Sequence, residues 1–193
     1  MHAHEFSLRG SHVLFPLDHG YILRSALSKP FPFLHGRHDL QIAPLRGTRT
    51  TSGMSQMDKS TTLHIRGLSN EEAQQMSEHG YFYLNGQQVW LERCRVPVIQ
   101  PSARLVSRLV LLRDCVSQQE FLDALVEKLP VGVYFSLGSN RATVIKTDPI
   151  KRWKGYVVTL TNLTPEQSLD IQAHGIGHHK TLGCGVFYSG TMG

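Results

Sequence analysis

Apolar and polar positions recur along the chain with two different periods, and the two alternate. Residues 11–17, SHVLFPL, read as a strand. The next twelve, DHGYILRSALSK, predict a helix capped by Asp18, stopped at Pro30 and turned inward through Leu23, Ala26 and Leu27. TTLHIRG (61–67) is strand-like, and the helix behind it opens on Ser69 with Glu72 three residues on, a capping box, and closes at Gly80. The prolines of VPVIQPSA (96–103) mark a linker, after which the pattern restarts. RLVSRLVLL (104–112) predicts a strand, and SQQEFLDALVEKL (117–129) a capped helix with Phe121, Leu122, Leu125, Val126 and Leu129 facing in. YVVTLTN (156–162) predicts another strand. Thr164, Pro165 and Gln167 then open a helix that ends at Gly175.

Residues 67–80 and 162–175 share this syntax: Leu68 matches Leu163, Glu71 matches Glu166, and both stretches end in His-Gly. Each half thus reads β-α-β-β-α-β, which predicts an α+β chain of two tandem ferredoxin-like (RRM-like) lobes, 1–96 and 103–193, the second with a C-terminal glycine-rich loop. GTRTTSGMSQMDKS (47–60) reads as a mobile connection, and the MHAHE start as solvated.

Composition narrows the class. With 40% hydrophobic and 18% charged residues the chain is an ordinary folded domain and not a disordered tail. No apolar run is long enough to span a membrane, and the first residues lack a signal peptide's layout. Three isolated cysteines suit a reducing cytoplasm and offer no metal spacing. A net charge of +5 favours an anionic partner.

One stretch concentrates chemistry. Gly175-Ile176-Gly177 and Gly183-Cys184-Gly185 flank five residues that include His178, His179 and Lys180. A phosphate, a metal and a tight turn are the candidates. Adjacent histidines cannot easily face one ion, whereas paired glycines admit a phosphodiester and Lys180 adds charge, so the stretch reads as a phosphate-binding loop. HKTL (179–182) matches half of the twin signature of the two-histidine phosphoesterases, but LHIRG around His64 does not supply the other half.

The duplicated layout with this loop in the last α–β connection resembles the CRISPR repeat-RNA processing endoribonucleases, the Cas-six family of the RAMP superfamily. DHGYILRSALSKPFPFLHGRHDL resembles the family's first helix and the loop after it, and WKGYVVTLTNLTPEQSLDIQAHGIG its approach to the glycine loop. The resemblance implies an enzyme without cofactor or metal. It cuts precursor RNA within repeats by 2′-hydroxyl attack, leaving 2′,3′-cyclic phosphate and 5′-hydroxyl ends, and stays on the hairpin product. It implies a prokaryotic cytoplasmic protein whose partners are repeat RNA or a crRNA stem-loop and other subunits of a CRISPR effector complex. The family's histidine maps to His35, with His38 second and His19 third, and Tyr21 could orient the nucleophile or phosphate. A family lysine is missing, and Arg37 or Arg46 would replace it. RNA would also meet Arg104, Arg108, Arg141, Lys146, Lys151, Arg152 and Lys154, with Trp153 as a stacking surface. His64, His79 and His174 read as structural. A non-catalytic RNA-binding subunit and a two-histidine phosphoesterase are the other readings.

Overall fold

The computed structural model describes residues 3–112, 115, 117–145 and 151–190, with residues 140–145, 151 and 152 described as backbone only. Two compact units divide it, Met1–Val98 and Ile99–Gly193.

The first unit runs β1 (Ala3–Arg9), β2 (Leu14–Pro16), α1 (Gly20–Ser28), β3 (Gln41–Ile42), β4 (Thr48–Arg49), β5 (Met54–Gln56), β6 (Thr62–Arg66), α2 (Asn70–His79), β7 (Tyr81–Leu84) and β8 (Gln87–Arg95). Its main sheet has the order β3-β6-β1-β8-β7, antiparallel throughout. With β7 set aside as a hairpin extension, β1-α1-β3-β6-α2-β8 is the ferredoxin-like connectivity. The hairpin turns at Asn85 and Gly86, both with positive φ, as a two-residue turn between twisted strands requires. Phe6, Leu27, Leu63 and Phe82 lie fully buried in the core between sheet and helices.

Three expectations change here. The lobe's first strand is β1, so Ala3–Glu5 of the stretch read as a solvated start is buried sheet, and 11–17 supplies only the short β2. Residues 47–60 hold β4 and β5, and β5 pairs with both β4 and β2 in a separate three-stranded sheet. The N-cap of α1 is His19, not Asp18.

The second unit runs β9 (Arg104–Val110), α3 (Gln118–Val126), β10 (Tyr134–Ile145), β11 (Lys151–Thr161), α4 (Pro165–His174) and β12 (Tyr188–Ser189). Its sheet order, β10-β11-β9-β12, is the same ferredoxin-like order with β12 as fourth strand. In α3, Phe121 and Leu125 are buried, but Val126 is 56% exposed because the helix ends there. All three capping boxes form, at Ser69–Glu72, Ser117–Glu120 and Thr164–Gln167. Gly80 ends α2 in the left-handed region. Gly175 instead takes φ 65° and ψ 180°, a conformation reserved for glycine. Among the described residues no helix is long and apolar enough to cross a membrane.

Candidate active site

The loop behind α1 is built to hold one side chain outward. Phe31 is buried and its amide donates to Leu27 O, which continues the helix line past Ser28. Pro32–Leu34 then make one 3₁₀ turn with Leu34 buried beneath it. The His35 amide closes that turn on Pro32 O at 2.9 Å, so the backbone of His35 is fixed while its ring is exposed. Among the described residues the ring has no hydrogen-bond partner. Gly36 follows at φ 73°, with open space where a side chain would stand.

Arg37 anchors the far side of the loop. Its guanidinium grips Asp39 through two bonds of 2.7 and 2.5 Å, reaches Glu72 at 2.6 Å and donates to Gly67 O at 3.1 Å. Hydrogen bonding to Asp39, and then to Glu72, raises the Arg37 pKa, and the same pairing holds the Asp39 carboxyl below the usual carboxylate range. Arg37 therefore serves the fold. Two carboxylates and a carbonyl occupy the guanidinium that was expected to supply the missing lysine's charge. His38, exposed beside this clamp, adds positive field to Asp39.

A depressed carboxylate pKa has a stability signature. The folded state binds the Asp39 proton less readily than the unfolded chain, so this contribution is fully present above pH 3.8 and is lost as pH falls through the depressed value. Melting temperature followed from neutrality into acid will therefore drop less steeply in Arg37→Ala than in the wild type. Parallel acid limbs would show the pairing to be energetically idle.

His19 is not available for proton transfer. It is 2% exposed, its Nδ1–H donates to Pro16 O at 2.9 Å, and its Nε2 accepts from the Leu45 amide at 2.8 Å. Both ring nitrogens are spent pinning the start of α1, with Phe15 edge-on at 4.7 Å. Tyr21 is half-buried at the first turn of α1, and Arg46 is exposed beyond β3. Arg24, one turn beyond Tyr21, has a buried Nε without a partner among the described residues, and nothing local in the sequence marks it.

The glycine loop answers to its own chain. A Cβ on Gly177 would stand 2.2 Å from Leu111 O, one on Gly175 2.5 Å from Gly185 O, and one on Gly185 1.9 Å from Ile176 O. The His178 amide donates to Leu111 O, the Gly185 amide to Leu109 O and the Ile176 amide to Gly185 O. Gly183 is buried at φ 77° after the 3₁₀ turn Lys180–Leu182. Close approach does explain these glycines, but what approaches is main chain at the end of β9 and just past it, and the loop itself. The Lys180 ammonium donates to His174 O at 2.8 Å and so closes the C-terminal end of α4. His179, left-handed at φ 59°, sets its ring 5.1 Å from that of Trp153.

Of the second unit's bases, Arg104 and Lys154 are exposed and Arg108 is half-buried. The Lys146 position lies outside the described residues, as do the side chains of Arg141, Lys151 and Arg152. His174 pairs with Asp170 on the surface of α4.

Sequence reading also missed a cluster on the sheet face turned away from the helices. Glu5 lies opposite His64 on β6 and Arg95 on β8, and pairs with both. Burial, only partly opposed by Glu5, lowers the His64 pKa, and Arg66, Arg46 and Arg95 add to the effect. Alternation along β1 and β6 could have found this cluster had β1 been recognised as a strand.

Comparison with known proteins agrees with the fold. A family model described as Cas6 Crispr matches residues 4–191. A CRISPR-associated endonuclease Cas6 of Myxococcus xanthus (strain DK1622) is 29% identical over 184 residues, covering 94% of this chain and 78% of that protein. A solved CRISPR associated protein Cas6 superposes with a TM-score of 0.67 at 14% identity, over 97% of this chain and 98% of that one. A Cas6-related protein from Pyrococcus furiosus gives 0.66 at 13% identity, with 97% of each chain covered. A RAMP protein described as binding different RNA substrates gives 0.68 at 10% identity, over 97% of this chain and 98% of that one. At such identities the structures share the fold.

Proposed function

Because the chain belongs to the Cas6 family, we propose that it is an endoribonuclease that cuts CRISPR precursor RNA within its repeats. A 2′-hydroxyl loses its proton and attacks the adjacent phosphorus. The P–O5′ bond breaks, the leaving 5′-oxygen takes up a proton, and the products are a 2′,3′-cyclic phosphate and a 5′-hydroxyl end. The observation that carries this reading is His35: an exposed imidazole without an intramolecular partner among the described residues, on a backbone fixed by the turn before it and the Arg37 clamp behind it. Histidine moves protons near neutrality, and a positioned group of this kind is what both proton transfers need. His38 stands second. Tyr21 orients the reacting groups from α1, and Arg46 takes the cationic role that Arg37 cannot. Lys180, His178, His179 and Trp153 give the hairpin a surface on the second unit, together with Arg104, Arg108 and Lys154. The product hairpin stays bound and is passed to other subunits of an effector complex.

The proposed reaction needs no metal. The attacking group is the substrate's own 2′-hydroxyl, and histidine is suited to move both protons. Repeat RNA incubated with the protein in excess EDTA will be cut, and the upstream product will resist a phosphatase that removes only 3′-monophosphates until its cyclic end is opened. A 2′-deoxy nucleotide immediately upstream of the cut will abolish cleavage. Cutting of the deoxy substrate with release of a 3′-hydroxyl would overturn the mechanism.

A further inference from the structure

The outer face of the first unit's sheet changes character from one edge to the middle. Phe82, Leu84, Val89 and Leu91 are buried in the core, so strand alternation puts Tyr81, Tyr83 and Trp90 on the opposite face. Tyr81 lies across from Trp90 in register with ring centroids 5.5 Å apart, and it meets Tyr83 edge-on at 5.9 Å. Tyr83 is 55% exposed and Trp90 41%. From the His35 side, Phe31 contacts His79 and His79 stacks on Tyr81 at 4.7 Å, so the ladder wraps the sheet edge from the end of α1. On its other flank Trp90 lies opposite Arg9 of β1. Beyond Arg9 opens a groove of about 550 Å³ where Lys59, Arg93 and Arg95 stand among the hydroxyls of Ser7, Ser60 and Thr62. Glu5 is the sole carboxylate of that lining, and both its oxygens are taken, by Arg95 and by His64. The side chains of Lys59 and Arg93 make no ion pair or hydrogen bond among the described residues.

We propose that this face is a binding track for single-stranded RNA, with bases on Trp90 and Tyr83 and the backbone running over Lys59 and Arg93. The inference rests on RNA being the chain's ligand and adds a site apart from the His35 loop. Rings and unpaired cations side by side with hydroxyls suit an unstacked strand, which offers π-faces and phosphates together. A protein-binding hot spot would instead surround its aromatics with apolar residues and be depleted in lysine. Rings on a four- or five-stranded sheet hold about two or three bases.

The test uses a short oligouridylate that cannot form a hairpin, titrated at several salt concentrations against the full chain. Tyr83→Ala with Trp90→Ala will weaken binding by roughly tenfold or more and leave the salt dependence unchanged, because base stacking carries no counterion release. Trp90→Phe will retain most of the affinity. Lys59→Gln with Arg93→Gln will flatten the slope of log affinity against log salt by about 0.7 for each charge removed. Both double variants will still cleave a hairpin repeat at the wild-type site. If both bind oligouridylate as the wild type does, with unchanged slopes, the track does not exist. If the aromatic variant instead alters self-association of the protein while RNA affinity stays fixed, the face is a protein interface and the proposal is wrong. A wild-type chain that binds no RNA of any kind would sink the proposed function itself, which keeps the two failures apart.

Discussion

His35→Ala slows single-turnover cleavage of a repeat hairpin by about 10²–10⁴-fold, the usual worth of a positioned acid–base group. The loss falls on the chemical step. RNA affinity stays near wild type, since an exposed ring at the end of a 3₁₀ turn is one contact among many. Stability also holds within about 0.5 kcal/mol, because the ring packs against nothing that the fold needs. His38→Ala is the informative companion. It shares the loop and the exposure but stands past Gly36, beside the Arg37–Asp39 clamp. A wild-type rate in His35→Ala with a collapsed rate in His38→Ala would move the proton-transfer role three residues along and leave the rest of the mechanism standing.

Gly185→Ala destabilises the second unit by about 2–6 kcal/mol. Holding a non-glycine residue at a strained positive φ costs about 1–3 kcal/mol, and forcing the main chain off a buried partner costs about as much again. Both apply, since the new Cβ would lie 1.9 Å from Ile176 O and the Ile176 amide bonds to the carbonyl of Gly185 itself. Gly36→Ala separates the two costs. That residue has a similar φ, 73°, but open space at the Cβ position, so its substitution costs about 1–2 kcal/mol. Denaturant midpoints of the two variants measure the difference. Equal, small losses at both sites would mean that the glycine loop yields easily and is no fixed part of the unit. Gly183→Val is a poor probe of phosphate contact for the same reason: a buried, left-handed position penalises valine before any ligand arrives.

What could be read ahead of the structure was whatever the chain writes locally. A capping box spans four residues; the two read at Ser69 and Thr164 formed, and the capped helix at Ser117 proved to carry a third. The fold followed because each lobe repeats the same order of periods. Misreadings cluster where the deciding partner is distant. His19 resembles any histidine at a helix start until Leu45, 26 positions on, donates to its Nε2. Arg37 resembles a free cation until Glu72 arrives from α2. β4 and β5, two and three residues long, have no room to show a period. The glycine-rich stretch was legible as a place of close main-chain approach, but sequence does not say whose main chain. It is that of Leu109 and Leu111, and of the loop's own Ile176 and Gly185.

Cys184 sits inside that stretch with no exposed surface, one residue from the bond that ties Gly185 to Ile176. Its sulfur meets a thiol reagent only when the stretch around it opens. With Cys94 and Cys115 changed to serine, Cys184 is the chain's sole thiol, and its labelling rate becomes a clock for that opening. If the loop lets go ahead of the unit as a whole, labelling outruns global unfolding; if it is the last part to leave, the two rates coincide.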